Sequence, residues 1–183
     1  EDFLENFSDV QICFYHDNYK YNAEEFITKK NETVFLKFRL ESEGQYYISV
    51  NQRNKRFYSK DERYRYSDLS WTLGRKTSEG FEFVENGRRI DKENWREIDA
   101  QTGEYIVMIH TPWRSKTRNF SFSIYGPDFV KFEVIEDEME SRNFIKEVYK
   151  SRAINELVTK GKLFENETVS YTHLRAHETF ANL

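Results

Sequence analysis

Cysteine and histidine are the residues of this sequence whose chemistry is easiest to recognise, and they form no catalytic set. The one cysteine, Cys13, lies in the short apolar run VQICF. No low-pKa setting surrounds it in the sequence, so we interpret Cys13 as a small buried apolar residue. His16 and His110 match no motif that pairs an imidazole with a nucleophile. The sequence therefore predicts no catalytic residue in this chain.

Two further histidines, His173 and His177, have the spacing that puts two metal ligands on one helix face. They lie in the run VSYTHLRAHET, which is the translation, in one frame, of a common transposase-type sequencing adaptor. We therefore interpret residues 169–183 as adaptor-encoded and residues 162–168 as the end of the native chain. Both histidines are excluded as metal ligands for that reason.

The acidic run EDEME, residues 136–140, is a possible source of oxygen ligands for calcium, which binds several at once. The loop pattern typical of calcium sites does not accompany it. Acids instead favour the first turn of a helix, and apolar residues recur at helical spacing between Phe144 and Tyr149. The sequence therefore predicts no metal site here, but a helix over residues 136–161 that reaches about Val158.

Basic residues alternate with tyrosines in residues 52–65, QRNKRFYSKDERYR. Such a pattern can supply phosphate contacts and stacking surfaces. The chain as a whole has a net charge of -4, however, which gives no electrostatic case for nucleic acid. Two interpretations stay open: a solvated strand end and loop, or a basic surface that meets acidic phospholipid or an acidic partner segment.

Two strand-like runs in residues 103–126 form the centre of the predicted fold. The first, EYIVMIH, is apolar on both faces, whereas the second, FSFSIY, alternates large rings with hydroxyls. We expect a hairpin whose polar tip is residues 112–118, at the centre of an antiparallel β-sandwich. The following side chains should be buried: Tyr105, Val107, Phe120, Phe122 and Ile124.

Further strands complete the predicted sandwich over residues 33–135. TVFLKFRL and YYISV form a first hairpin, and DLSWTL, FEFV and FVKFEVI are the other strands. The polar residues 17–32 lack a clear period and are predicted to be a linker. Asn86-Gly87 is a turn signal, and an irregular stretch follows, with three apolar anchors onto the core: Ile90, Trp95 and Ile98.

Length and composition are those of one soluble domain with appendages. A chain of 183 residues, 17% of them aromatic, can build a packed core but not two full domains. No apolar run has the roughly twenty residues needed to cross a bilayer, and no signal peptide opens the chain.

A single cysteine fits a reducing compartment, so we expect a cytoplasmic protein. Because Glu1 stands where an initiator methionine would, we expect a fragment.

Several runs resemble the calpain family in the same order. EDFLENFSDVQIC is similar to the segment that closes the papain-like domain of calpains. FLKFRL, YYISVNQRNKR, LSWTLGR, TGEYIVMIHTPW and FSFSIYG are similar to the β-sandwich that follows it. The resemblance covers residues 1–135, and TGEYIVMIHTPW with its Phe-rich partner is its most specific part. It implies that residues 1–16 end the papain-like domain and that a C2-like sandwich follows, with a short helix-strand remnant before it and a helix after it.

The resemblance implies a calcium-dependent cysteine endopeptidase as the parent protein, with a Cys, His, Asn triad on two papain-like lobes. None of those motifs is in this chain, and Cys13 matches a structural position of the family. The sequence therefore predicts an inactive fragment without catalytic, cofactor or metal residues. The resemblance implies that its partner is the rest of the parent protein, with calcium as the parent's expected cofactor. The family's long acidic loop is reduced here to residues 41–44. The alternative is a stand-alone module of the same fold that contacts membrane phospholipid or a protein.

Overall fold

In the computed structural model, the described part of the chain comprises residues 16, 18–29, 31–59, 64–113 and 118–153. The described residues all belong to one unit, Glu1–Ala153. The predictions for Cys13, for the helix-strand remnant, and for His173, His177 and the adaptor-encoded tail lie outside them.

Nine strands, a 3-10 turn at Lys55–Phe57 and one helix make up the described part. They are β1 (Lys20–Thr28), β2 (Glu32–Leu40), β3 (Gly44–Gln52), β4 (Leu69–Thr77), β5 (Gly80–Arg89), β6 (Glu93–Ala100), β7 (Gly103–Thr111), β8 (Arg118–Gly126), β9 (Glu133–Val134) and α1 (Glu138–Arg152). Sheet A has the order β1-β8-β3-β6, and sheet B has the order β5-β4-β7-β2-β9. All pairings are antiparallel. The predicted antiparallel β-sandwich with a helix near its C-terminal end is confirmed.

The core lies between the two sheets and is built from the period-two positions of the strands. The five side chains that the sequence predicts to be buried are each at most 1% exposed: Tyr105, Val107, Phe120, Phe122 and Ile124. Phe38 of β2 stacks on Tyr105 of β7 with a ring separation of 5.6 Å, and it also contacts Phe122 of β8 across the core. The alternation of apolar and polar residues thus identifies the inward faces correctly.

Neither predicted hairpin forms. β7 pairs with β2 and β4 in sheet B, whereas β8 pairs with β1 and β3 in sheet A. β2 and β3 likewise lie in different sheets. Alternation fixes the face that a strand buries, but it does not fix the neighbour to which the strand hydrogen-bonds. Consecutive apolar strands can therefore cross from one sheet to the other and oppose each other through the core.

The prediction of a linker over residues 17–32 is wrong for most of that range, because β1 occupies nine of these residues. β1 is an edge strand that pairs with β8, from Lys20 opposite Gly126 to Thr28 opposite Arg118. Most of its side chains are exposed, and Phe26, which stacks on Phe120, is one of few that turn inward. An edge strand with so little buried surface leaves only a weak pattern in the sequence.

The predicted turn at Asn86-Gly87 is a continuous part of β5. Gly87 is buried, and the indole of Trp71 lies where a side chain at this position would begin. The glycine is therefore explained by close packing against a neighbouring strand rather than by a turn.

The stretch predicted to be irregular contains β6. Only Ile98 of the three expected anchors is buried, since Ile90 is 68% and Trp95 is 38% exposed. Asn94 is buried instead. Its side-chain nitrogen donates to the Leu69 carbonyl at 3.1 Å, and its backbone carbonyl accepts from the Trp71 indole at 3.2 Å. A buried asparagine with such partners has no apolar signature in the sequence.

The helix α1 begins after Asp137, whose carboxylate accepts from the Met139 N–H at 2.8 Å. It ends at Arg152, earlier than predicted, because Ala153 is extended. The expected strand before it is reduced to Glu133–Val134.

α1 packs on the outer face of sheet B through Phe144 and Val148. Its Glu147 and Ser151 side chains accept from the backbone N–H groups of Phe81 and Phe83 on β5. The helix thus satisfies donors of an edge strand that would otherwise be open to pairing.

Candidate functional site

The segment that combines basic and aromatic residues lies at one end of the sandwich. There β3 ends, β8 begins and β5 passes into β6. We call this region the basic end and define it as residues 53–59, 64–68 and 90–92 together with Arg118. All of these residues belong to the described part of the chain.

Gln52, the last residue of β3, fixes the basic end to the sandwich. Its side chain is 2% exposed, and its amide nitrogen donates to the carbonyls of Ser67 at 2.6 Å and Asp91 at 3.0 Å. Its amide oxygen accepts from the Ser67 N–H and from the Tyr64 hydroxyl. One buried glutamine therefore holds two connections of the chain. Sequence reasoning missed this residue, because glutamine is most often a surface residue.

Two tyrosines and an arginine stack within the basic end. The rings of Tyr58 and Tyr64 lie 3.9 Å apart and almost parallel, and the Arg118 guanidinium lies 4.5 Å from the Tyr64 ring. Burial, and secondarily the neighbouring Tyr58, raise the pKa of Tyr64 to about 12. Tyr64 is therefore neutral at physiological pH, and the stack anchors the segment by cation–π and aromatic contacts.

The outer surface of the basic end carries cations without salt bridges. Arg53, Lys55, Arg56 and Arg65 are exposed, and none of them forms a salt bridge with a described carboxylate. The Arg53 guanidinium lies 5.2 Å from the ring of Phe57. The basic end is therefore a positively charged surface on a chain whose net charge is -4.

Two large apolar side chains are exposed at the same end. Phe57 in the 3-10 turn is 69% exposed, and Ile90, between β5 and β6, is 68% exposed. Exposed cations and exposed apolar side chains at one end of the sandwich match a surface that is anionic outside and apolar beneath, as a phospholipid bilayer is.

The structure brings no described histidine into a catalytic arrangement. The Nδ1 atom of His110 lies 3.1 Å from the Thr33 hydroxyl, and burial lowers the pKa of His110. The backbone N–H of His16 donates to the Tyr125 hydroxyl at 2.9 Å. Within the described ranges, no group of three or more His, Cys, Asp or Glu side chains could hold a metal ion. No helix among those residues is long and apolar enough to cross a bilayer.

The short acidic segment of residues 41–44, between β2 and β3, is hydrogen-bonded to the sandwich. Asp128 accepts from the backbone N–H groups of Glu41 at 2.7 Å and Ser42 at 2.8 Å, and from the Tyr46 hydroxyl at 2.6 Å. Burial alone would raise the pKa of Asp128, but the hydrogen bonds from Tyr46 and Ser42 lower it below its usual value. The Glu41 carboxylate pairs with Arg39. The carboxylates of Asp128 and Glu41 thus stabilise the fold in this region.

No protein-family model matches the sequence, and no curated protein matches it. The mitogen of Yersinia pseudotuberculosis has a TM-score of 0.46 and 17% identity, over 64% of this chain and 96% of the mitogen. The pre-peptidase C-terminal domain of collagenase from Bacillus anthracis has a TM-score of 0.39 and 12% identity, over 55% of this chain and 87% of that domain. A structure of infectious bursal disease virus, Gt strain, has a TM-score of 0.28 and 12% identity, over 95% of this chain and 51% of the viral chain. None of these three is a calpain, and similarity this low carries no functional argument.

Proposed function

We propose that this chain is the non-catalytic β-sandwich portion of a calpain-like, calcium-dependent cysteine endopeptidase. The supporting observation is that the runs that resemble calpains fall, in the same order, on strands β2, β3, β4, β7 and β8. Those strands supply most of the sandwich core. The role of this portion is to support and regulate papain-like lobes that carry the Cys, His, Asn triad, with calcium acting on the parent protein.

We expect the isolated chain of 183 residues to hydrolyse no protein substrate, with or without calcium. The reason is that the sequence offers no pairing of a nucleophile with a base. The measurement is the release of fluorescent peptides from labelled casein at millimolar calcium, with an active cysteine protease as the positive control. Hydrolysis that disappears on Cys13→Ala would overturn the assignment of this cysteine to packing.

The protease proposal has a separate test in the transcript upstream of the codon for Glu1. An open reading frame with papain-like Cys and His motifs would support it. An in-frame start codon close to Glu1 would contradict it and favour a stand-alone module.

A second candidate function is attachment of the basic end to anionic phospholipid. The observation that favours it is the pair of exposed apolar side chains, Phe57 and Ile90, at the end that carries exposed cations without a salt bridge to any described carboxylate. Each basic residue near an anionic bilayer contributes about 1 kcal/mol to binding. We name phospholipid rather than an acidic peptide because a bilayer offers a place for the apolar tips as well as for the charges.

We expect the chain to co-sediment with vesicles of phosphatidylserine and phosphatidylcholine, but not with vesicles of phosphatidylcholine alone. The triple variant Arg53→Gln, Lys55→Gln, Arg56→Gln should bind roughly 100-fold more weakly, because it loses about 3 kcal/mol of attraction. A matched triple variant with the same charge change elsewhere is Lys131→Gln, Arg142→Gln, Lys146→Gln, all exposed. Equal loss in both triple variants would show a net-charge effect and contradict the proposed site.

A further inference from the structure

A cleft of about 400 Å³ lies on the outward face of sheet A, beside the basic end. We call it the polar cleft, because most of the side chains that line it are polar: Glu25, Asn51, Arg53, Asn119 and Ser121. Strand β8, which carries the last two, lies between β1 and β3 and forms the floor. The volume of the cleft is within the range of small-molecule sites in proteins.

The strand register fixes the width of the polar cleft. Glu25 of β1 is opposite Ser121 of β8, and Ser121 is opposite Asn51 of β3. The adjacent residues Phe122 and Val50 are buried in the core, so Ser121 and Asn51 point outward. Two strand spacings, or about 10 Å, separate β1 from β3. The short serine side chain on the middle strand leaves space between the two walls.

The two walls of the polar cleft carry opposite charges. The Glu25 carboxylate accepts from the Asn119 side-chain amide at 2.9 Å and forms no salt bridge with a described cation. Arg53 is exposed and lies over the Phe57 ring, without a salt bridge to a described carboxylate. Glu25 and Arg53 thus line one cleft without pairing with each other. Both charges are accessible to a ligand that enters between them.

Neutral hydrogen-bond donors stand on the arginine side of the polar cleft. The side-chain carbonyl of Asn51 accepts from the Ser49 hydroxyl at 2.7 Å. The Asn51 side-chain nitrogen and the Ser121 hydroxyl form no hydrogen bond with a described group. Together with Arg53, these two groups can donate to the oxygens of an anion, whereas Glu25 can accept from an ammonium group. The arrangement therefore complements a zwitterion.

We propose that the polar cleft binds a phosphorylated primary amine of the phosphoethanolamine type, with the phosphate at Arg53 and Asn51 and the ammonium group at Glu25. A guanidinium can bind phosphate through two parallel hydrogen bonds. A phosphate monoester carries close to two negative charges at neutral pH. The neighbouring exposed cations, Lys55 and Arg56, therefore favour phosphate over a carboxylate.

The inference goes beyond the proposed function, because it assigns a small-molecule site and holds whether or not the parent protein is a protease. It also differs from attachment of the basic end to anionic phospholipid, in which Arg53 acts as one charge of a surface. Glu25 belongs to the polar cleft and not to the basic end. Glu25→Gln should therefore not weaken sedimentation with vesicles of phosphatidylglycerol, an anionic lipid that has no ammonium group.

The experiment is an NMR titration of the full chain with phosphoethanolamine, inorganic phosphate and ethanolamine at one ionic strength. With phosphoethanolamine we expect saturable shifts at the amides of Asn51, Asn119 and Ser121. The other two compounds should bind about tenfold more weakly, because each lacks one of the two charged groups. Equal affinity for phosphoethanolamine and inorganic phosphate would overturn the proposal, since it would leave no role for Glu25.

Two variants and a matched control locate the site. Glu25→Gln should weaken phosphoethanolamine binding about fivefold without weakening phosphate binding, whereas Arg53→Gln should weaken both. Glu24→Gln makes the same charge change at an exposed neighbour that does not line the cleft, and it should leave both affinities unchanged. A loss of equal size in Glu24→Gln and Glu25→Gln would show a general charge effect and overturn the site.

Vesicles distinguish a lipid headgroup from a soluble ligand. If the source is the headgroup, phosphatidylethanolamine added to phosphatidylcholine vesicles should recruit the chain, and Glu25→Gln should reduce this recruitment. Phosphatidylcholine alone should not suffice, because its trimethylated ammonium group has no N–H to donate to Glu25. Binding of phosphoethanolamine without recruitment to these vesicles would identify a soluble amine as the ligand. Absence of binding in both forms would overturn the proposal.

Discussion

Replacement of Gly126 by alanine is expected to lower the free energy of unfolding by about 3 kcal/mol. This loss is at the upper end of the range for substitutions that overpack a core. The ring of Tyr46 occupies the place where a Cβ atom would be added to Gly126. Tyr46 is fully buried, and its hydroxyl lies 2.6 Å from an Asp128 carboxylate oxygen and 2.9 Å from the Ser42 carbonyl. Because these contacts hold the ring, the backbone of β8 must move instead. Denaturant unfolding with a fluorescence readout measures the loss.

The control for Gly126→Ala is the same substitution in a Tyr46→Val background. Without the ring, the added methyl group has space, so Gly126→Ala should cost less than about 1 kcal/mol there. The same cost in both backgrounds would show that the backbone conformation, and not the tyrosine, demands glycine at this position.

The second large effect concerns the docking of α1. Phe144→Ala is expected to cost about 3 to 4 kcal/mol, because Phe144 is 1% exposed and packs edge-to-face on Phe81 and Phe35. The contact is close, since the Phe144 ring lies 2.7 Å from where a Cβ atom at Gly74 would be. Undocking of the helix should also free the amides of Phe81 and Phe83, which now donate to Glu147 and Ser151. Thermal unfolding and hydrogen exchange at these two amides are the measurements.

Met139→Ala is the matched control on the same helix, since Met139 is 72% exposed. It should change stability by less than about 0.5 kcal/mol and leave both amides protected. Loss of global stability with full protection at Phe81 and Phe83 would contradict docking as the cause.

The sequence alone determined most of the apolar side chains that fill the core, because burial follows from the alternation of apolar residues along the strands. Phe120, Phe122 and Ile124 illustrate this, and so does the helix, whose acidic first turn and apolar spacing are local features. Each of these signals lies within about ten consecutive residues.

Tertiary structure alone decided which strands are neighbours and what the polar residues do. β7 and β8 are adjacent in sequence but belong to different sheets. This arrangement depends on how the apolar faces of the two sheets pack together. Gln52 is buried because its side-chain amide bonds to Ser67 and Asp91, and the side-chain nitrogen of the buried Asn94 donates to Leu69; all these partners are distant in the sequence. The register likewise places Tyr21, Tyr125 and Tyr47 in one row, although more than twenty residues separate each of them along the chain. Pairing over such separations depends on contacts that no local pattern encodes.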